Sequence, residues 1–62
     1  MRTINGLEIK KTNTFGHTDY YEIVGDCTAY TDAQLLDMCD LNNFGGYINR
    51  RANGANATVY TD

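Results

Sequence analysis

The residues of this chain whose types can do chemistry are two cysteines, one histidine, a pair of aspartates one helical turn apart and two adjacent arginines. Cys27 with His17 would be a nucleophile and its base. Such a pair needs a third group to orient the base and a flanking motif to expose the thiol. Neither "GDCTAY" nor "FGHTDY" supplies one. His17 therefore reads as an exposed loop residue, and Cys27 as a small buried residue just ahead of a helix. Cys39 falls on an apolar helix face and belongs to the core. Structural zinc takes four ligands, usually including a close-set pair, which Cys27, Cys39 and His17 do not offer. Asp37 and Asp40 resemble a carboxylate pair, but they lie on a solvated helix face, with no neighbours that would position them as an acid and a base. Gly45-Gly46 follows a helix where a phosphate-cradling loop would open one. The chain reads as non-enzymatic, with no metal and no cofactor.

Recognition chemistry is better represented. Asp19, Glu22, Asp26, Asp32, Asp37 and Asp40 share one stretch without a lysine or arginine, and Arg2, Lys10, Lys11, Arg50 and Arg51 all lie outside it. Ordinary solvated charge explains this sorting as well as a molecule with one acidic and one basic face does. On the second reading, Asp26, Asp32, Asp37 and Asp40 form a patch that docks on a basic partner surface. Such a surface is often a nucleic-acid groove. The expected protein is then a small binder, of the anti-CRISPR or anti-restriction inhibitor type that phages and mobile elements encode.

A second surface comes from the strands. Alternation places Lys10, Tyr20, Glu22, Tyr47, Asn49, Arg51, Thr58 and Tyr60 on the outer face of a sheet. Tyr20, Tyr47, Asn49, Arg51 and Tyr60 are its candidate contacts. Tyrosines pair well across strands, so packing alone accounts for them. Bases could also stack on the rings while Lys10, Arg50 and Arg51 meet phosphates. Against nucleic acid stand the net charge of −3, the scarcity of cations and the lack of an RNP1-type signature. A protein partner, or a second subunit of a homodimeric assembly protein, fits that face better.

These residues need elements to hold them. A chain of 62 residues is a single domain, residues 1–62, near the lower size limit for folding alone. The N-terminus "MRTINGLEIKK" lacks the apolar run of a secretion signal, and no stretch approaches a membrane span. A cytoplasmic protein with reduced thiols is expected, and a homodimer is the favoured source of extra stability. Asn5-Gly6 marks a tight turn, after which Leu7 and Ile9 alternate with Glu8 and Lys10 as a strand. "NTFGHT" reads as a loop and "DYYEIVGD" as the second strand. In "YTDAQLLDMCDLNN" Thr31 and Gln34 form a capping box, and Tyr30 and Leu35 occupy the staple positions. Leu35, Leu36, Met38 and Cys39 make the apolar face, and Asn42, Asn43 and Gly45-Gly46 stop the helix. "GYINRR" and "ATVYT" form a hairpin turned at Asn53-Gly54. The expected fold is α+β with ββαββ order: a four-stranded, mostly antiparallel sheet with one helix on one face. Its expected core is Leu7, Ile9, Tyr21, Ile23, Leu35, Met38, Cys39, Ile48 and Val59.

Overall fold

The computed structural model describes residues 2–61. It is α+β, with five strands and one helix: β1 (Arg2–Ile4), β2 (Leu7–Phe15), β3 (Thr18–Val24), α1 (Asp32–Cys39), β4 (Gly46–Arg51) and β5 (Gly54–Tyr60). All pairings are antiparallel, in the spatial order β1-β2-β3-β5-β4. The expected four strands in ββαββ order are thus corrected to five, because the chain already forms a strand before its first turn. Asn5 (φ +52°) and Gly6 (φ +82°) both have left-handed backbone. That is the I′ geometry whose twist matches the flanking strands, so Arg2–Ile4 folds back on Leu7–Ile9.

Three further boundaries differ from the sequence reading. Residues Asn13, Thr14 and Phe15 belong to β2, because Gly16 (φ +58°) and His17 alone make the turn to Thr18. The β4–β5 hairpin turns at Ala52-Asn53, with Gly54 already paired to Arg51 on one side and Val24 on the other. A Cβ on Gly54 would lie 2.0 Å from the Ile23 carbonyl oxygen, so this glycine serves close strand approach as well as the turn. The helix stops at Cys39, with Asp40 extended as its C-cap, rather than at the asparagines further on.

The helix start is as the sequence implies. Gln34 N–H donates to Thr31 Oγ1 at 3.1 Å, and Thr31 N–H donates to Gln34 Oε1 at 2.8 Å. Two backbone donors that the helix itself cannot satisfy are thereby paired. Leu35, Leu36 and Cys39 are buried against Leu7, Ile9, Tyr21, Ile23, Cys27, Ala55, Ala57 and Val59. Met38 and Ile48 are only partly buried beside this cluster. The small side chains of Ala55 and Ala57 on β5 leave room for the helix to sit close over the sheet centre.

Two arginines on opposite edge strands fasten the helix. Arg2 on β1 donates to the carbonyls of Met38 (2.8 Å) and Cys39, at the helix C-terminus. Arg50 on β4 donates to the Cys27 carbonyl (2.9 Å), the Tyr30 carbonyl (2.7 Å) and Asp32 Oδ1 (2.8 Å from Nη2, 3.1 Å from Nε). A cation near the last carbonyls and an acid in the first turn both oppose the helix dipole favourably.

Candidate functional site

No described element covers the face of the sheet away from the helix, and its strand register sets out two aromatic rows. One row runs Asn13, Tyr20, Thr58, Tyr47, and the next runs Phe15, Thr18, Tyr60. Directly paired residues share a face, so all of these side chains except those at the bulge point the same way. Phe15 is 67 % exposed, Tyr47 58 % and Tyr60 42 %. Phe15 packs edge-on against Tyr20, with ring centroids 6.2 Å apart.

The middle of this face is a trough along β5. Its floor is Asn56 and Thr58. Tyr20 and Glu22 on β3 form one wall and Arg51 on β4 closes the other side, with Tyr47 and Asn49 beyond it on the same face. Tyr20 and Tyr47 stand two strands apart, roughly 10 Å, with only threonine between them. The depression has a volume of about 380 Å³, and Thr12, Tyr20, Glu22, Arg51, Asn56 and Thr58 contribute to its lining. Thr12 sits at a bulge between β2 and β3, where its hydroxyl donates to the Tyr20 carbonyl at 3.2 Å. At one end Arg51 Nη2 reaches Glu22 Oε2 at 3.3 Å, bridging over β5. The charged residues in register on this face are Glu8, Lys10, Glu22 and Arg51, two of each sign, so the face is neutral.

Tyr20, Tyr47, Asn49, Arg51 and Tyr60 therefore lie together on one face. Arg50 does not join them. It opposes Ala55, which is fully buried on the helix side, and its guanidinium is spent on the helix start. Lys11 is likewise on the helix side, 3.6 Å from Asp19 and 5.9 Å from the centroid of the Tyr21 ring. Phe15 and Asn56 were missed by the sequence reading. The signal for Phe15 was the glycine after it, which permits a two-residue turn and leaves "NTF" in the strand.

The four acidic candidates are distributed along the helix side rather than gathered at one point. Asp26 accepts from the Thr28 hydroxyl (2.7 Å) and backbone N–H (3.0 Å), and these bonds hold its carboxyl below the usual range. Asp32 is paired with Arg50. Asp37 accepts from the Asn43 carboxamide at 2.9 Å, and Asp40 accepts from the Asn42 N–H at 2.9 Å. An eight-residue helix is about 12 Å long, so Asp32 and Asp40 stand at its opposite ends. Among the described residues, no cation pairs with Asp26, Asp37 or Asp40.

Both thiols are buried and unpaired with each other. Burial pushes Cys39 up to about 11, with Arg2 opposing and Asp40 adding to the rise. Burial also raises Cys27, whose thiol points at the Gly25 carbonyl (3.7 Å). Both are thus held as neutral thiols near pH 7, packed as small apolar groups. His17 lies in the β2–β3 turn, where its carbonyl accepts from Thr61 N–H (2.7 Å) and hydroxyl (3.0 Å). No group of three or more metal-ligating side chains occurs among the described residues. Among the described residues no helix is long and apolar enough to cross a membrane.

These features define a small α+β chain with an open aromatic sheet face. Comparison with protein-family models, curated proteins and solved structures finds no match.

Proposed function

We propose that this chain is a non-enzymatic protein-binding module that uses the outer sheet face. The carrying observation is the aromatic face itself: Tyr20 and Tyr47 in register about 10 Å apart across Thr58, flanked by the exposed Phe15 and Tyr60. Tyrosine and phenylalanine offer large contact area for few lost rotamers. Asn56 and Thr58 supply polar groups that can meet a peptide backbone. Because the face is neutral, its best occupant is an uncharged, extended segment of another protein. Nucleic acid is disfavoured by the same balance: of Lys10, Arg50 and Arg51, Arg50 is committed to the helix and Arg51 to Glu22.

Selection from a library of unstructured peptides tests this reading, with binding mapped by backbone and side-chain NMR shifts. Binders that shift Tyr20, Tyr47 and Thr58, and that are lost in Tyr20→Ala with Tyr47→Ala, support it. Binders that shift only the helix side would overturn it.

The second reading is favoured by Asp26, Asp37 and Asp40, whose charges no described cation balances. On this reading the helix side docks on a basic partner surface, and an anti-CRISPR or anti-restriction inhibitor of mobile-element origin is its sharpest form. Asp37→Lys with Asp40→Lys abolishes binding to a basic partner on this reading, whereas peptide binding to the outer sheet face survives the same change on the first.

A further inference from the structure

The two edges of the sheet are treated differently. On the β2 side, β1 covers Leu7–Ile9, a bulge breaks the register between Lys11 and Asn13, and the Asn13 side chain takes up the Thr14 N–H at 2.8 Å. These are the devices by which natural sheets blunt an edge. The β4 edge has none of them. It is regular over six consecutive pairs with β5, with no proline and no bulge.

The direction of each backbone group on β4 follows from the Tyr60 N–H, which donates to the Gly45 carbonyl at 2.9 Å. Counting by twos, Tyr47, Asn49 and Arg51 turn their N–H and C=O groups toward β5. Gly46, Ile48 and Arg50 turn theirs outward. No backbone hydrogen bond from another described element reaches these outward groups.

We infer that β4 pairs with β4 of a second copy of this chain, antiparallel about a two-fold axis at Ile48. This register uses every outward group: Ile48 faces Ile48 of the partner subunit, and Gly46 and Arg50 face Arg50 and Gly46 of the partner subunit. It forms about six hydrogen bonds, since each such pair exchanges two. The charge placement permits it. Arg50 meets a glycine, so its hold on Asp32, Cys27 and Tyr30 is undisturbed, and Arg51 stands opposite Gly45 of the partner subunit, so no like charges meet. On the helix side the half-buried Ile48 gains an apolar neighbour. On the outer side Tyr47 comes opposite Asn49 of the partner subunit, and the two troughs become one continuous surface. A shift of register by one residue would set outer side chains against inner ones. The inference does not depend on what occupies the trough.

Amide hydrogen exchange by NMR, read against concentration, tests it on the unmodified chain. At about 10 μM the amides of Gly46, Ile48 and Arg50 exchange freely, while those of Tyr47, Asn49 and Arg51 are protected by β5. Near 1 mM the first three slow at least about tenfold, and the sedimentation mass rises from 6.9 kDa toward twice that value. Ile48→Pro removes an outward N–H without touching the β4–β5 ladder, and holds the chain as a monomer. If that variant fails to fold, the exchange pattern of the unmodified chain still decides. The inference is overturned by a 6.9 kDa mass with three freely exchanging amides at 1 mM. A dimer in which those amides still exchange freely overturns it equally.

Discussion

Arg50→Ala should destabilise this chain far more than Arg51→Ala, although the two arginines are neighbours with similar side-chain exposure, 39 % and 47 %. The Arg51 bridge to Glu22 is a single exposed contact at 3.3 Å, of the class worth roughly 0–0.5 kcal/mol. Arg50 makes the same kind of exposed pair with Asp32 and adds two bonds to backbone carbonyls. The pair with Asp32 is discounted for solvent to about 0.5 kcal/mol. Each carbonyl bond contributes about 1 kcal/mol, giving about 2–3 kcal/mol in total. Total stability at this chain length is about 3–9 kcal/mol, so the loss is a large share of it. For a domain of this size each kcal/mol moves Tm by about 4–8 °C, so Arg50→Ala lowers Tm by about 10–20 °C and Arg51→Ala by less than about 4 °C. Thermal unfolding followed by far-UV circular dichroism measures both. Arg50→Lys restores little, because an ammonium cannot fork between two carbonyls and a carboxylate. Equal effects of the two alanine variants, within about 0.5 kcal/mol, would refute the clamp.

Other perturbations follow from the same geometry. Thr31→Ala removes the side-chain half of the capping box and costs about 1 kcal/mol, read by urea unfolding; no change would mean that water replaces the cap without loss. Gly54→Ala forces a Cβ to 2.0 Å from the Ile23 carbonyl oxygen, and the chain should lose its β3–β5 pairing, seen as collapse of the dispersed amide spectrum. Stability should fall at alkaline pH. Cys39 is raised in the folded state from 9.0 to about 11, so its contribution is complete below pH 9 and is lost as pH rises toward 11. Tyr21, raised by burial and by Asp19, Asp40 and Cys39, adds a loss above pH 10 in the same direction. A urea midpoint that is flat from pH 8 to 11 would contradict this.

Much of the fold was legible because its signals were local. The capping box needs only Thr31 and Gln34 at their spacing, and the alternation of Leu7, Ile9, Tyr21, Ile23 and Val59 states which face each strand buries. What escaped was set by tertiary pairing. Arg2–Ile4 has no apolar alternation long enough to announce a strand, and only docking on β2 makes it one. Ala55 and Ala57 look unremarkable in sequence, yet they are fully covered because the helix crosses above them. For the site, the tyrosines were assigned to one face by parity alone. The opposite parity of Arg50 and Arg51 was also readable, but that Arg50 would spend its donors on loop carbonyls depended on where the helix lands. The acidic stretch was visible as composition, while the partners of Asp32 and Glu22 were not, since both come from the distant strand β4, and that of Asp19 depended on the β2–β3 register.

The place of β5 has a consequence for a shortened chain. It follows β4 in sequence but lies between β3 and β4 in the sheet. Cutting the chain just before Gly54 therefore removes the one strand that pairs with β4 within the chain, together with Ala55, Ala57 and Val59, which share the core with α1. The remnant presents the bare edge of β3, an unpartnered β4 and an uncovered helix face at once, so proteolysis at the Ala52-Asn53 turn yields an aggregation-prone form of the molecule.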